Sequence, residues 1–132
     1  MELKVLIIDD DDIVLFLHKT FAKTSGFVSE PMVSRSGQTA FDYLKVHDDA
    51  NTTFLLLLDI NMPRMNGWEL LDAINERNFS AQIFVVIVTS SINIADQKKA
   101  KLYNRIIDFR KKPITTNVLT ELKQLEELKQ FF

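Results

Sequence analysis

Three stretches of the chain are apolar at nearly every position: KVLII at residues 4–8, TFLLLL at 53–58 and IFVVIV at 83–88. A strand with one wet face alternates between apolar and polar. A continuous apolar run of this length marks a strand covered on both faces, as in a parallel sheet between two layers of helices. Two weaker runs, VSEPMV at 28–33 and IIDF at 106–109, complete the set. Pro31 has no N–H for a ladder, which assigns the first of them to a sheet edge.

Between the runs, apolar residues recur at helical spacing. Ile13, Leu17 and Phe21 mark a first helix. Phe41 and Leu44 mark a second, started by Ser36 or Gly37; Trp68, Leu70, Leu71 and Ile74 mark a third. Val118, Leu122 and Leu125 mark the last, with Thr115 or Thr116 as N-cap. Residues 93–103 fit a helix but hold few apolar residues, so this helix is expected to be the most loosely held. Five strands alternating with five helices, joined by right-handed crossovers, predict a three-layer doubly wound α/β domain. Periodicity leaves the strand order open; 2-1-3-4-5 is one of two common orders.

Composition narrows the field. At 132 residues and 46% hydrophobic, with no linker-like segment or repeat, the chain suits one domain with one core, and the expectation is a single domain over residues 1–132 without an output domain. Lys and Arg number 16 against 18 Asp and Glu, a net charge of −2, which gives no electrostatic reason to expect nucleic-acid binding. There is no cysteine, which excludes disulfides, thiolate metal sites and cysteine nucleophiles. The N-terminal apolar stretch is too short for a signal peptide or a membrane span, so the expectation is a soluble cytoplasmic protein.

In a doubly wound sheet, ligands bind beyond the carboxyl ends of the strands. Asp9 and Asp10 follow the first run, Asp59 the third, Thr89 the fourth, and Lys112 lies three residues past Phe109. Parallel strands bring these ends to one edge. Converging carboxylates repel and push at least one of them toward its protonated form. A hard divalent cation relieves this, and Mg²⁺ needs only one or two direct carboxylates besides water and a phosphate oxygen. A carboxylate can also accept a phosphoryl group, forming an acyl phosphate.

The segment LLLLDINMPRMNGWELL (residues 55–71) resembles the phospho-acceptor segment of response-regulator receiver domains. The resemblance continues through IIDDDD (7–12), IVTSS (87–91) and FRKKPIT (109–115), in order along the chain. It implies a flavodoxin-like receiver fold with strand order 2-1-3-4-5. It implies Asp59 as phospho-acceptor, with Asp10, Asp9, Asp59 and the backbone carbonyl of Asn61 around Mg²⁺. Thr89 and Lys112 match the residues that grip the phosphoryl group, with Lys112 usually joined to Pro113 by a cis bond. Phe109 matches the aromatic switch position, and Asn61 and Ser91 the positions that tune phosphoryl lifetime. The implied donor is a histidine kinase or histidine phosphotransfer protein. The implied output is contact with an unidentified protein by a monomer or a weak phosphorylation-dependent dimer. Such a chain is a switch rather than an enzyme. It departs from the family at Tyr103-Asn104-Arg105, in place of a Gly-Ala type turn, and at residues 47–52, which look extended.

Other residues have plainer readings. Asp11 and Asp12 suit a solvated helix N-terminus. His18 and His47 have no ligand partner at metal spacing and are expected at the surface or its boundary. Trp68 is expected near the site rim, and Phe131-Phe132 either cap the core or fray. Two rival functions stay open. A haloacid-dehalogenase-type phosphatase also uses an Asp after a buried strand, but needs a second Asp where this chain has Asn61. A receiver-like interaction module independent of phosphorylation is the other.

Overall fold

The computed structural model describes residues 2–132. Strands β1 (Glu2–Ile8), β2 (Met32–Ser34), β3 (Thr52–Asp59), β4 (Gln82–Thr89) and β5 (Ile106–Lys111) form one sheet. All neighbours are parallel, in the order β2-β1-β3-β4-β5. The helices are α1 (Asp12–Thr24), α2 (Gly37–Val46), α3 (Gly67–Glu76), α4 (Ile94–Ala100) and α5 (Thr116–Leu122).

Strand alternation splits the core in two. Leu6, Ile8, Leu56, Leu58, Val85 and Ile87 face α2, α3 and α4. Val5, Ile7, Leu55, Leu57, Val86 and Val88 face α1 and α5. Because both faces are covered, β3 is buried along its whole length, which is why its sequence never alternates.

The helix starts follow their capping residues. The Asp11 carboxylate accepts from the amides of Ile13 and Val14, Ser36 caps α2 and Thr115 caps α5. Asn66 and Glu69 form a reciprocal capping box on α3. Past Ser25, the C-cap of α1, Gly26 adopts φ 73°, a left-handed turn that suits glycine.

Three expectations are corrected. The strand predicted at 28–33 is only Met32–Ser34, because the extended edge pairs only after Pro31. On α1 the buried residues are Leu15, His18 and Ala22; of the predicted stripe only Phe21 packs, half-buried, against the core, while Ile13 and Leu17, like Phe16, are exposed. The helix is apolar around most of its circumference, so spacing alone does not say which stripe turns inward. The last helix ends at Leu122 rather than running through Leu125. Beyond it, amides bond three residues back, Gln124 to Glu121 and Leu125 to Leu122. A 3₁₀ turn repeats every three residues. That keeps Leu122, Leu125 and Leu128 directed at the core.

As expected, α4 is thinly anchored, with Ala100 its one buried residue. The Phe132 ring lies against that of the buried Phe27, centroids 4.9 Å apart, yet stays 47% exposed at the edge of the core. Among the described residues, no helix is long and apolar enough to cross a membrane.

Candidate functional site

Strand register assembles the site. Ile8 pairs with Leu58, so Asp9 comes level with Asp59 across β1 and β3. Asp59 pairs with Val88, which sets Thr89 one step beyond on β4. Thr89 pairs with Lys111, which sets Lys112 one step beyond on β5. Four adjacent strands thus deliver two carboxylates, a hydroxyl and an ammonium to one edge.

Asp9, Asp10 and Asp59 each offer a carboxylate oxygen, and these oxygens lie within 4.8 Å of one another. Asp9 and Asp59 are buried while Asp10 is exposed, so the cluster is deep on one side and open to solvent on the other. The Lys112 ammonium lies 2.6 Å from Asp9 and 3.4 Å from Asp59. One ammonium, paired with Asp9 and Asp59, stands beside a group of three carboxylates, which leaves net negative charge for a cation to neutralise. The oxygen-only donor set suits a hard divalent ion, so the group can hold a metal ion.

Electrostatics follow from burial. Burial pushes the Asp59 carboxyl up; the Asn61 amide opposes this, the Asp9 charge adds to it, Lys112 opposes it, and the net shift is upward. For Lys112, burial pulls the pKa down, but its hydrogen bond to Asp9 and the charges of Asp59 and Asp9 outweigh that and hold it above the usual lysine value.

Local hydrogen bonds place the remaining residues. The Asn61 amide donates to Asp59 Oδ1 at 3.0 Å, which holds the β3–α3 loop against the carboxylate. Thr89 is fully buried, and its hydroxyl donates to the Ser91 carbonyl at 3.0 Å. Ser91 is exposed, at the rim. The Lys112 amide continues the ladder by donating to the Thr89 carbonyl at 2.7 Å, and the Lys112–Pro113 bond is cis. Phe109 is half-buried, lining a cleft of about 340 Å³ with Gln97, Ala100 and Lys101 of the α4 region.

Sequence reasoning missed His18. It is 3% exposed, not at the surface, and its Nε2 accepts from the buried Ile114 amide at 3.0 Å. Burial is the main reason its pKa falls to about 4, with Asp9 raising it and Lys112 lowering it. No signal in the sequence ties residue 18 to residue 114; the contact exists only because α1 packs against α5, whose leading loop carries Ile114. His47 is exposed as expected, stacked on Tyr43. Trp68 is buried and turned toward the segment after α4, its ring 5.4 Å from that of Tyr103. The unusual Tyr103-Asn104-Arg105 turn fastens to α3: the Tyr103 hydroxyl donates to Asp72 at 2.8 Å and Arg105 Nε to Asn75 at 3.0 Å. The extended stretch after α2 likewise has a task, since the Asp48 carboxylate accepts from the amides of Ser80 and Ala81.

Comparison with known proteins decides the family. The response regulator receiver domain model matches residues 5–124. The chain belongs to the response regulator receiver family. It is 27% identical to the chemotaxis protein CheY1 of Helicobacter pylori, covering 90% of this chain and 92% of that protein. It is 33% identical to the transcriptional regulatory protein CitT of Halalkalibacterium halodurans over 88% of this chain, but spans only 48% of CitT. The crystal structure of a two-component response regulator from Cytophaga hutchinsonii superposes with TM-score 0.77 at 32% identity, covering 92% of this chain and 93% of that one. This receiver domain therefore has the fold and the strand order that its motifs imply.

Proposed function

We propose that this receiver domain is a phosphorylation switch: Asp59 accepts a phosphoryl group from the histidine of a sensor kinase or a phosphotransfer protein. The observation that carries this reading is the Asp59 carboxylate at the end of β3, with Asp9 and Asp10 within ligand reach and the Lys112 ammonium at 3.4 Å. In the transfer, an Asp59 oxygen forms the new P–O bond as the P–N bond to the donor histidine breaks, and the freed imidazole keeps the electron pair. Such transfers depend mainly on positioning and charge neutralisation.

Asp9, Asp10, Asp59 and the Asn61 carbonyl are the proposed holders of Mg²⁺, which when bound supplies neutralising charge beside the phosphoryl oxygens. Lys112 neutralises from the other side, leaving Asp59 to pair with a phosphoryl oxygen. The Asn61 amide orients the Asp59 carboxylate. Thr89 exchanges the Ser91 carbonyl for a phosphoryl oxygen, and Phe109 moves in the cleft beneath α4. Only a difference in interaction between the two states can drive this. The thin anchoring of α4 makes that face the part free to respond. The output is then contact with another protein, by a monomer or a weak phosphorylation-dependent dimer, and the chain is a switch, not a turnover enzyme. Small polar residues at Asn61 and Ser91 admit water and set a moderate phosphoryl lifetime.

The test is intact-mass spectrometry after incubation with acetyl phosphate and Mg²⁺. A single phosphoryl adduct, absent in Asp59→Asn and absent without Mg²⁺, is expected. No adduct on folded wild type would leave a receiver that works as an interaction module alone.

A further inference from the structure

We infer that His18 is a positioning residue for Lys112: from α1 it holds the backbone that follows the lysine and so fixes where the ammonium stands between Asp9 and Asp59. The inference rests on the reading of Lys112 given above and adds a residue to it.

Lys112 has a long flexible side chain, and its place depends on the backbone that carries it. On its N-terminal side that backbone is tied to β4, the Lys112 amide donating to the Thr89 carbonyl at 2.7 Å. On its C-terminal side stands Pro113, which has no N–H to offer. The first amide beyond it belongs to Ile114, which is 1% exposed. A buried amide left without an acceptor costs about 1–3 kcal/mol. Its acceptor is the imidazole of His18 at 3.0 Å, 96 residues away in sequence. The loop is therefore held at two points, one on each side of the lysine, and His18 is the second.

The geometry also joins the lysine to the acidic pair through α1. The Asp9 carboxylate accepts from the Asp11 amide at 2.9 Å, and Asp11 caps the helix that carries His18. One rigid element thus meets Asp9 at its start and the lysine loop less than two turns on. The acceptor role requires the neutral ring with its proton on Nδ1, and burial favours that neutral form. A leucine at this site keeps the apolar volume and removes the acceptor. A glutamine places its carbonyl oxygen near the position of Nε2 and keeps it.

The experiment compares the wild-type chain, His18→Leu, His18→Gln, Lys112→Ala and the His18→Leu/Lys112→Ala double variant. Two readouts are taken: the rate of phosphorylation by acetyl phosphate with Mg²⁺, and the NMR signal of the Lys112 ammonium. His18→Leu is expected to slow phosphorylation by about tenfold or more, the scale on which small displacements of a reacting group act. His18→Gln stays close to wild type. In the Lys112→Ala background His18→Leu adds no further loss, because the residue acts through the lysine. A folded His18→Leu protein with the wild-type rate and an unchanged ammonium signal overturns the inference. So does a loss that persists undiminished in the Lys112→Ala background, which marks a merely structural histidine. Should His18→Leu fail to fold, His18→Asn, whose carbonyl stops short of the Ile114 amide, takes its place against His18→Gln. If wild type takes no phosphoryl group, the proposed function fails by itself. The ammonium signal, shifted in the leucine variant and retained in the glutamine variant, still decides the positioning role.

Discussion

A buried imidazole gives the molecule a measurable acid limb. His18 has its pKa lowered from 6.5 to about 4, first by burial. Above pH 6.5 the ring is neutral in both folded and unfolded chains, and the stability it confers is complete. Between 6.5 and about 4 the unfolded chain takes the proton and the folded one does not, so stability falls with pH. At about 1.4 kcal/mol per pKa unit, the loss reaches about 3 kcal/mol. Urea denaturation of wild type and His18→Gln from pH 7 to 4 should show the two curves separating by that order, wild type falling faster. Asp59 has the opposite sign. Its carboxyl is pushed up, chiefly by burial, so its ionised form costs the folded state stability at all pH values above its folded pKa, and nothing below 3.8. Asp59→Asn in metal-free buffer is therefore expected to raise the melting temperature at pH 7, with the gain disappearing in acid.

At the scale of elements, the decisive contact is where β3 hands over to α3. Gly67 opens α3, and its amide donates to the Ile60 carbonyl at 3.1 Å. A Cβ built there would lie 2.7 Å from the Ile60 Cα and 3.0 Å from the Asp59 carbonyl oxygen. Those atoms are backbone, and the backbone is that of the acceptor segment. Alanine is the better helix former by up to about 1 kcal/mol, but forced overpacking costs about 1–3 kcal/mol, so the clash wins. Gly67→Ala should lower the urea midpoint and slow phosphorylation, because relief of the clash moves Asp59 itself. Gly37 is a milder case: its nearest neighbours are the Met65 side chain, which can turn aside, and the Met65 carbonyl at 3.0 Å.

For the whole molecule, the acidic cluster at the sheet edge is a lever on global stability. A cation that binds the folded chain alone stabilises it by RT ln(1 + [L]/Kd), about 2.7 kcal/mol at a hundredfold excess over Kd. Mg²⁺ is expected to raise the melting temperature of wild type and to leave that of Asp10→Asn nearly unmoved, as read by differential scanning calorimetry. Asp10 is the exposed member of the group, so removing its charge tests binding with little change to the core. An equal Mg²⁺ response in both proteins would place the ion elsewhere.

Much of this was legible in the residues. LLLL at 55–58 and VVIV at 85–88 have no polar position because both sheet faces are covered, and burial of that kind is written into composition. Ser36, Asn66 and Thr115 announce helix starts because a cap is a local bond between near neighbours. Asp9, Asp10, Asp59, Thr89 and Lys112 stand out because each ends or follows a strand, and parallel strands share an edge. What local sequence could not hold was any relation between distant segments whose residue types are ordinary. Periodicity did not choose the inward stripe of α1, since Ile13, Leu17 and Phe21 recur as regularly as the residues that are buried. It did not show that His18 meets Ile114, that Tyr103 and Arg105 fasten to α3, or that Asp48 caps the start of β4. Hydrophobic pattern and capping act over a few residues, and these the chain encodes directly. Which faces meet, and which buried donor finds which acceptor, depends on how helices settle against the sheet, and only the tertiary structure decided that.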